Sequence, residues 1–427
     1  MKIHPYLEEL TKRGISPGLE RMYNALSEIQ CPHKGLKGAL IAGTNGKGST
    51  AFILYNLLAS HGFKTALYTS PHIREINDRY LISGDNISDE KLLSYIELLR
   101  EISERNNLTL FEFETLIAFK YFYEQKVDFA VFEVGMGGRL DATNCFDTSI
   151  KVITSISKDH TEYLGETEEE ILFEKAGIIK KGNIVISGIH QKNLLTSIER
   201  ICKDRDAKLI LLDRDIIIEN LKEKDGFESF DYKYIDWKFD NVRLSLFGTH
   251  QVSNCALAIT SFVELSREEN FNIEEERIYH TLQNIRFGGR FEIVSRNPLI
   301  IIDGAHNEDG IRRLKETIIT FNKDRKKIIC IFSSLKNKEP EKKLEILKDI
   351  VDYFIFVENR HPLSLKKEEF ILLAQKVNVG YFAIMDIESA IYRAHNEFNN
   401  YLILITGSLY IIEDVYYYLE NIDGRRE

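Results

Sequence analysis

Residues 43–50 read GTNGKGST and follow directly on the apolar run Ala39–Ala42. Gly43 and Gly46 allow a backbone turn whose N–H groups face inward. Such a nest at the start of a helix holds phosphate oxygens without side-chain charge. Lys47 is placed to reach the β- and γ-phosphates of a nucleotide, and the hydroxyl of Ser49 or Thr50 to ligate Mg²⁺. The usual G-x-x-x-x-G-K-[ST] spacing is not kept: Ile41 occupies the first glycine position and Gly48 follows the lysine. The chemistry that this stretch implies is nonetheless nucleotide-phosphate binding, with Gly43, Thr44, Asn45, Gly46, Lys47, Gly48, Ser49 and Thr50 as the loop contacts.

Other reactive side chains sit at the ends of apolar runs. Glu133 closes FAVFE and is followed by Gly135, Gly137 and Gly138. A carboxylate at the carboxyl end of a strand in an open α/β sheet is where a ligand or Mg²⁺ is met. His160 follows the next apolar run by a few residues, so Glu133 and His160 are expected to face one cleft. Lys175, in FEKAGIIKKG, lies between an acidic helix and an apolar turn; spacing alone leaves it a solvated charge. In the second half Asp303 and His306 follow the run LIII, Ser408 follows LILIT, and Arg290 stands where the pattern changes.

The elements that must position these groups alternate short apolar runs with longer amphipathic stretches, the pattern of a parallel α/β sheet. Strands are expected near 39–42, 65–68, 128–134, 151–156 and 183–187, with a helix from Lys47. The acid-rich stretch 165–175 reads as a helix start. Residues 208–246 are rich in β-branched and aromatic side chains and predict a small antiparallel elaboration on the sheet edge. A second α/β series starts at 297–306 and continues with strands at 326–332, 353–357, 380–385 and 401–407. The stretch 288–298, with two glycines and a proline, marks the junction. The expectation is two domains, 1–295 and 296–427, with a cleft between them: a P-loop ATPase-like parallel sheet with its antiparallel elaboration, then a Rossmann-like α/β domain.

Composition agrees with that size. Of the 427 residues, 44% are apolar and 29% charged, and the formal charge of −10 gives no support for nucleic-acid binding. Five scattered cysteines form no C-x-x-C pair, which points to neither a disulfide framework nor a zinc site. No apolar run approaches a membrane span and the N-terminus lacks a signal-peptide core, so the reading is a reduced, cytoplasmic protein.

Taken together, the motifs resemble one family: the folylpolyglutamate synthase/dihydrofolate synthase branch of the Mur ligases. The resemblance runs from GLERM (18–22) through GTNGKGST, YTSPHI (68–73), LFEFETLIAF (110–119), EVGMGGRLDATN, KDHTEYLG, EKAGIIK, GTHQVSNCALA (248–258), GGRFE and DGAHN to TGSLY. It accounts for the loop spacing, since the family's phosphate loop resembles G-T-N-G-K-G-S. The resemblance implies that Lys47 and Ser49 hold ATP phosphate and Mg²⁺. It makes Ser70, Glu133 and His160 metal ligands, and Lys175 the family's carbamylated lysine. Asn254 and Arg290 would contact nucleotide, while Asp303, His306 and Ser408 would lie around the acyl phosphate and the incoming glutamate. Thr109, Phe111, Asp141 and Ala142 fall where members able to bind dihydropteroate hold the pterin. One departure is SSLKNKEP (333–340), where the family often has G-x-x-x-D-K-D.

The implied reaction is ATP-dependent amide formation, with ATP as co-substrate and two Mg²⁺ ions. L-Glutamate would be joined to dihydropteroate and to folate polyglutamates by a bifunctional, monomeric enzyme, with His306 as the candidate base. A folate-only enzyme is the close alternative. A peptidoglycan-type Mur ligase is more distant, because the loop begins at Gly43 and leaves no room for a preceding nucleotide-sugar domain. A P-loop kinase or NTPase would leave DGAHN and TGSLY unexplained.

Overall fold

The computed structural model describes residues 4–224, 226–398 and 400–424. They divide into two compact units, the first running to Ser245 and including His250–Ile285, the second comprising Leu246–Thr249 and the chain from Arg286.

The first unit is built on an eight-stranded sheet. Its strands are β1 (Gly38–Ala42), β2 (Thr65–Tyr68), β3 (Tyr80–Ile82), β4 (Asp85–Asn86), β5 (Phe129–Glu133), β6 (Ile150–Ile153), β7 (Ile184–Ser187) and β8 (Lys208–Leu211), in the order β4-β3-β2-β5-β1-β6-β7-β8. The six strands from β2 to β8 are parallel, and β3 and β4 add an antiparallel edge. β1 and β5 are buried along their whole length, as expected of strands covered on both faces. Phe132 of β5 packs against Phe119, Phe146 and Tyr68 at ring separations of 4.8, 4.9 and 5.6 Å, the aromatic centre of this core.

Strand order places the chemistry. β1 lies between β5 and β6, so the chain passes to one side of β1 and then to the other. Ligands collect beyond the carboxyl ends of strands at such a switch point. Register puts Ile41 beside Glu133 and Ala42 beside Ile153, which aligns the ends of the three strands. Helix Lys47–Ser60 starts from Gly46 at φ +86, a conformation that favours glycine. Helix Leu110–Glu124 starts at a capping box between Thr109 and Glu112, and helix Glu168–Ala176 at one between Thr167 and Glu170.

The stretch 208–246 differs from the sequence reading. Residues 208–211 are not part of an antiparallel elaboration: β8 is the last parallel strand of the main sheet. The turn that ends it has no glycine or proline; the Asp215 carboxylate accepts the Leu211 N–H at 2.8 Å instead. The antiparallel part is a separate sheet of β9 (Ile216–Lys224), β10 (Phe227–Tyr234) and β11 (Trp237–Leu244).

The second unit holds a six-stranded sheet: β12 (Glu292–Arg296), β13 (Leu299–Ile302), β14 (Ile328–Phe332), β15 (Tyr353–Val357), β16 (Phe382–Met385) and β17 (Leu402–Thr406), in the order β12-β13-β17-β14-β15-β16. All pairs are parallel except β12–β13. That pairing moves the division expected at 295/296 back to 285/286. Phe291 reinforces it by packing on Phe247 and Phe321 within the second unit, at 5.2 and 5.3 Å.

Candidate active site

Gly43 and Gly46 are glycines for steric reasons. At Gly43, φ is +146 and an added Cβ would lie 1.9 Å from Thr154 Oγ1; at Gly46 it would lie 2.3 Å from Asn254 Oδ1. The loop between them is strapped to the segment after β6. Thr44 N–H donates to Ser155 O at 2.8 Å, and its hydroxyl donates to Ser157 O at 3.0 Å and accepts from Ser157 N–H at 3.1 Å. Asn45 N–H donates to Ser155 Oγ at 3.1 Å, while its carbonyl accepts from Thr154 Oγ1 at 2.6 Å. The amides of Lys47, Gly48 and Ser49 lie in the first helical turn, where no intrahelical acceptor exists. Lys47 Nζ folds back over the loop to Thr44 O at 3.2 Å. A preformed anion nest with a lysine across its mouth is the result.

Two more expected residues join the loop. Lys175 is buried, and its Nζ donates to Gly43 O at 2.8 Å, tying helix Glu168–Ala176 to the loop's first residue. Asn254, on helix Thr249–Glu269, faces Gly46 with its amide oriented by Gln251 Oε1 at 3.1 Å.

The proposed cation ligands come from separate elements. Glu133 ends β5, and its Oε2 accepts the N–H of Ser70, two residues beyond β2, at 3.2 Å. The fold therefore brings Ser70 and Glu133 together although 63 positions separate them. His160 heads the short helix Thr161–Leu164 at φ +51, with a partly exposed ring 3.9 Å from Asp159 Oδ1. Among the described residues no three His, Cys, Asp or Glu side chains form a metal cluster. A cation here would draw on mixed donors, and the chemistry fits: hydroxyls and a carboxylate are the hard oxygens Mg²⁺ takes. Ser49 and Thr50 are both buried, and Thr50 Oγ1 has no hydrogen-bond partner among the described residues.

Beside this lies the surface assigned to the acceptor. Thr109 N–H and Oγ1 donate to Glu112 Oε2 at 2.8 and 2.9 Å, and Arg21 grips the same carboxylate at 2.8 Å. The Phe111 ring fills the space that a Cβ on Gly135 would need. Asp141 accepts from the N–H groups of Met136 and Thr143 at 2.9 and 3.0 Å; burial pushes its carboxyl upward, and Lys47's charge opposes the shift. Ala142 follows in the short turn Ala142–Cys145, buried.

Sequence reasoning missed the polar group behind this wall. Arg79 and Glu114 form a buried ion pair at 2.8 Å, and Arg79 Nε donates to His72 Nδ1 at 3.2 Å. Burial, with the guanidinium adding to it, pushes His72 down to about 4. No spacing signal marks this pairing. The Ser155–Ser157 strap was also missed, although ITSIS, a polar-apolar alternation after a strand, offered a cue.

In the second unit, Asp303 follows β13, and its two oxygens accept from Phe291 and Ala305 N–H, both at 2.8 Å. Burial pushes its carboxyl upward while Arg290 pulls it back. Arg290 lies against Gly304, with Nη1 3.2 Å from where a Cβ would stand. His306 Nδ1 meets Gly304 O at 3.0 Å. A carbonyl only accepts, so Nδ1 carries the proton and Nε2 is the basic nitrogen of the neutral ring. Ser408 is buried two residues beyond β17, whose Ile405 pairs with Ile302 of β13. Arg290, Asp303, His306 and Ser408 thus collect at one end of this sheet.

Comparison with known proteins extends these observations. Residues 41–262 match the Mur ligase middle domain and 289–409 the Mur ligase glutamate ligase domain. The chain is 34% identical over 419 residues to the dihydrofolate synthase/folylpolyglutamate synthase of Bacillus subtilis (strain 168), covering 95% of each. It resembles E. coli FolC, solved in complex with DHPP and ADP, at TM-score 0.86 and 27% identity, covering 99% of this chain and 97% of that one. It likewise resembles a bifunctional folylpolyglutamate synthase/dihydrofolate synthase solved with Mn, AMPPNP and L-glutamate bound, at TM-score 0.85 and 28% identity over 97% and 96%. No helix among the described residues is long and apolar enough to cross a membrane.

Proposed function

This chain belongs to the dihydrofolate synthase/folylpolyglutamate synthase family of Mur ligases, and from that premise we propose that it is an ATP-dependent ligase joining L-glutamate to dihydropteroate and to folate polyglutamates. The observation that carries the reading is the phosphate nest 43–50. It is held by Lys175 and the 154–157 strap and stands beside Glu133 at a switch point of a parallel sheet.

A carboxylate is a poor electrophile toward an amine. Its oxygen therefore attacks the γ-phosphorus of ATP; the bond to the β–γ bridging oxygen breaks, and an acyl phosphate and ADP result. Positioning and charge neutralisation supply most of the catalysis in such transfers. Here the amides of Lys47, Gly48 and Ser49 and the Lys47 ammonium receive the phosphate charge. Mg²⁺, taken as two ions, would be held by Ser49, Ser70, Glu133 and His160 and would supply charge shielding between two anions. Carbamylation of Lys175 would turn a buried ammonium into a carboxylate-like group beside that site.

The amine of glutamate then attacks the acyl carbon, and phosphate departs carrying one oxygen of the former carboxylate. The amine must first lose a proton, and His306, whose Nδ1 meets Gly304 O, is the residue assigned to take it. The family resemblance assigns Asp303 and Ser408 to the glutamate, and Arg290 and Asn254 to the nucleotide. Thr109, Phe111, Asp141 and Ala142 hold the pterin, with Arg21 fixing the Thr109 turn through Glu112. The protein works as a monomer in the cytoplasm, on small molecules and not on nucleic acid.

Phosphate release from ATP should require L-glutamate together with either dihydropteroate or a reduced folate. Turnover indifferent to glutamate would overturn the ligase reading. Activity with folate but not dihydropteroate would remove the bifunctional part.

A further inference from the structure

Lys343 lies in helix Pro340–Leu347 and has no exposed surface, whereas the side chain of its neighbour Lys342 is half exposed and pairs with Glu339. Lys343 Nζ donates to Ser334 Oγ at 2.6 Å and to Gly407 O at 2.9 Å. Taking an ammonium out of water costs several kcal/mol, offset only by good geometry at its acceptors. A lysine placed there is an expensive way to fill space, and a thioether or aliphatic chain would do it more cheaply.

The surroundings show what it holds. Ser333 N–H donates to Thr406 O at 3.1 Å, joining the ends of β14 and β17. Asn359, beyond β15, donates from Nδ2 to Ser333 Oγ at 2.8 Å, and Leu365 N–H donates to Ser334 O at 3.0 Å. Ser333, Ser334, Asn359 and Ser364 are all buried. This polar braid ends at Gly407, whose φ of +100 and tight approach to Ser333 O exclude a side chain. The next residue is Ser408. Lys343 is thus anchored to the carbonyl of the peptide that carries Ser408's backbone nitrogen.

We infer that Lys343 is a positioning residue for the amino-acid subsite: through the Gly407 carbonyl and Ser334 it fixes the loop that presents Ser408 to the incoming L-glutamate. The inference rests on the functional reading above, which places Ser408 beside glutamate. It concerns a residue that lies outside the DGAHN and TGSLY motifs and touches no substrate itself.

The test is steady-state kinetics of the full chain, with each of ATP, acceptor and L-glutamate varied in turn. Lys343→Met removes the charge at similar volume and leaves the Gly407 carbonyl without this donor. The KM for L-glutamate should rise by about tenfold or more, as expected for losing a charge-assisted hydrogen bond, while the KM for ATP stays within about twofold. Ser334→Ala cuts one of the bonds Lys343 makes; it should raise the same parameter less, and add nothing on top of Lys343→Met if the two act as one unit. This milder variant carries the test if Lys343→Met does not fold. A folded variant with wild-type KM for glutamate, or with both KM values raised equally, overturns the assignment and leaves Lys343 purely structural. Wild-type protein that shows no glutamate-dependent phosphate release fails at an earlier point, and overturns the functional reading together with this one.

Discussion

Gly46→Ala tests the phosphate loop more sharply than removal of a charged side chain, because it adds one methyl group and no chemistry. Gly46 sits at φ +86, and its added Cβ would stand 2.3 Å from Asn254 Oδ1, far inside van der Waals contact. Placing an L-residue in the left-handed region costs roughly 1–2 kcal/mol. Overpacking against a held group costs ~1–3 kcal/mol more. Asn254 cannot yield freely, since Gln251 orients its amide. The loop relieves the strain by moving, so the cost falls on ATP affinity. A combined ~2–5 kcal/mol corresponds to about 30-fold to about 4,000-fold weaker binding, at roughly 1.4 kcal/mol per tenfold. Gly62→Ala is the control: φ is +90 there, but nothing lies within 4 Å of the new Cβ. It should show backbone strain alone, as a small loss of thermal stability with the KM for ATP unchanged. The assay is ATP titration of phosphate release alongside thermal unfolding without nucleotide. Gly46→Ala with the ATP dependence of the wild type would refute the reasoning, as would equal effects of the two variants on the KM for ATP.

Other perturbations address neighbouring parts of the site and core. Lys47→Ala should abolish phosphate release while moving the thermal midpoint by no more than about 2 °C, because the side chain is only partly buried; full activity would remove the lysine from the account. Glu114→Ala strands the buried Arg79 guanidinium and should cost ~3–5 kcal/mol in denaturant unfolding, with Arg79→Met/Glu114→Met far less damaging. A single variant no worse than the double would show the pair to be unimportant. Lys151 is fully buried with Nζ on Phe146 O at 2.9 Å, and burial pushes it down to about 7 from the ordinary 10.5. Between those values the unfolded chain binds more protons than the folded one, so this group makes stability rise with pH over that window. Comparing urea midpoints at about pH 7 and about pH 9, Lys151→Met should remove that rise and gain most at the lower pH. Parallel profiles for variant and wild type would contradict the burial argument.

How much of this was legible in the sequence depended on whether a feature was local. β1, β2, β5, β6 and β7 announce themselves as short apolar runs because both faces of a parallel sheet are covered. The loop 43–50 and the capping box at Thr167 are local patterns and were readable as such. β8 was not separable from β9, because KLILLDRDIIIENL changes sheets at a turn without glycine or proline. The β3–β4 hairpin carried a signal in Ser83-Gly84, both at positive φ, that was passed over. β12 was hidden because its residues are mostly half-buried and lack a clean alternation. At the site, Glu133 could be nominated by position, and Lys175 only through the family resemblance. Their partners, Ser70 and the Gly43 carbonyl, depend on strand order and could not. Lys343 looks like its surface neighbour Lys342; only the phase of the helix, which turns 343, 344 and 347 inward, distinguishes them.

The central claim is that ATP activates a carboxylate. Acceptor carrying ¹⁸O in its carboxylate, incubated with ATP and L-glutamate, tests it directly. The account predicts that each phosphate released carries one ¹⁸O atom, transferred when the acyl phosphate is broken by the amine. Unlabelled phosphate, formed while the amide product accumulates, would contradict it.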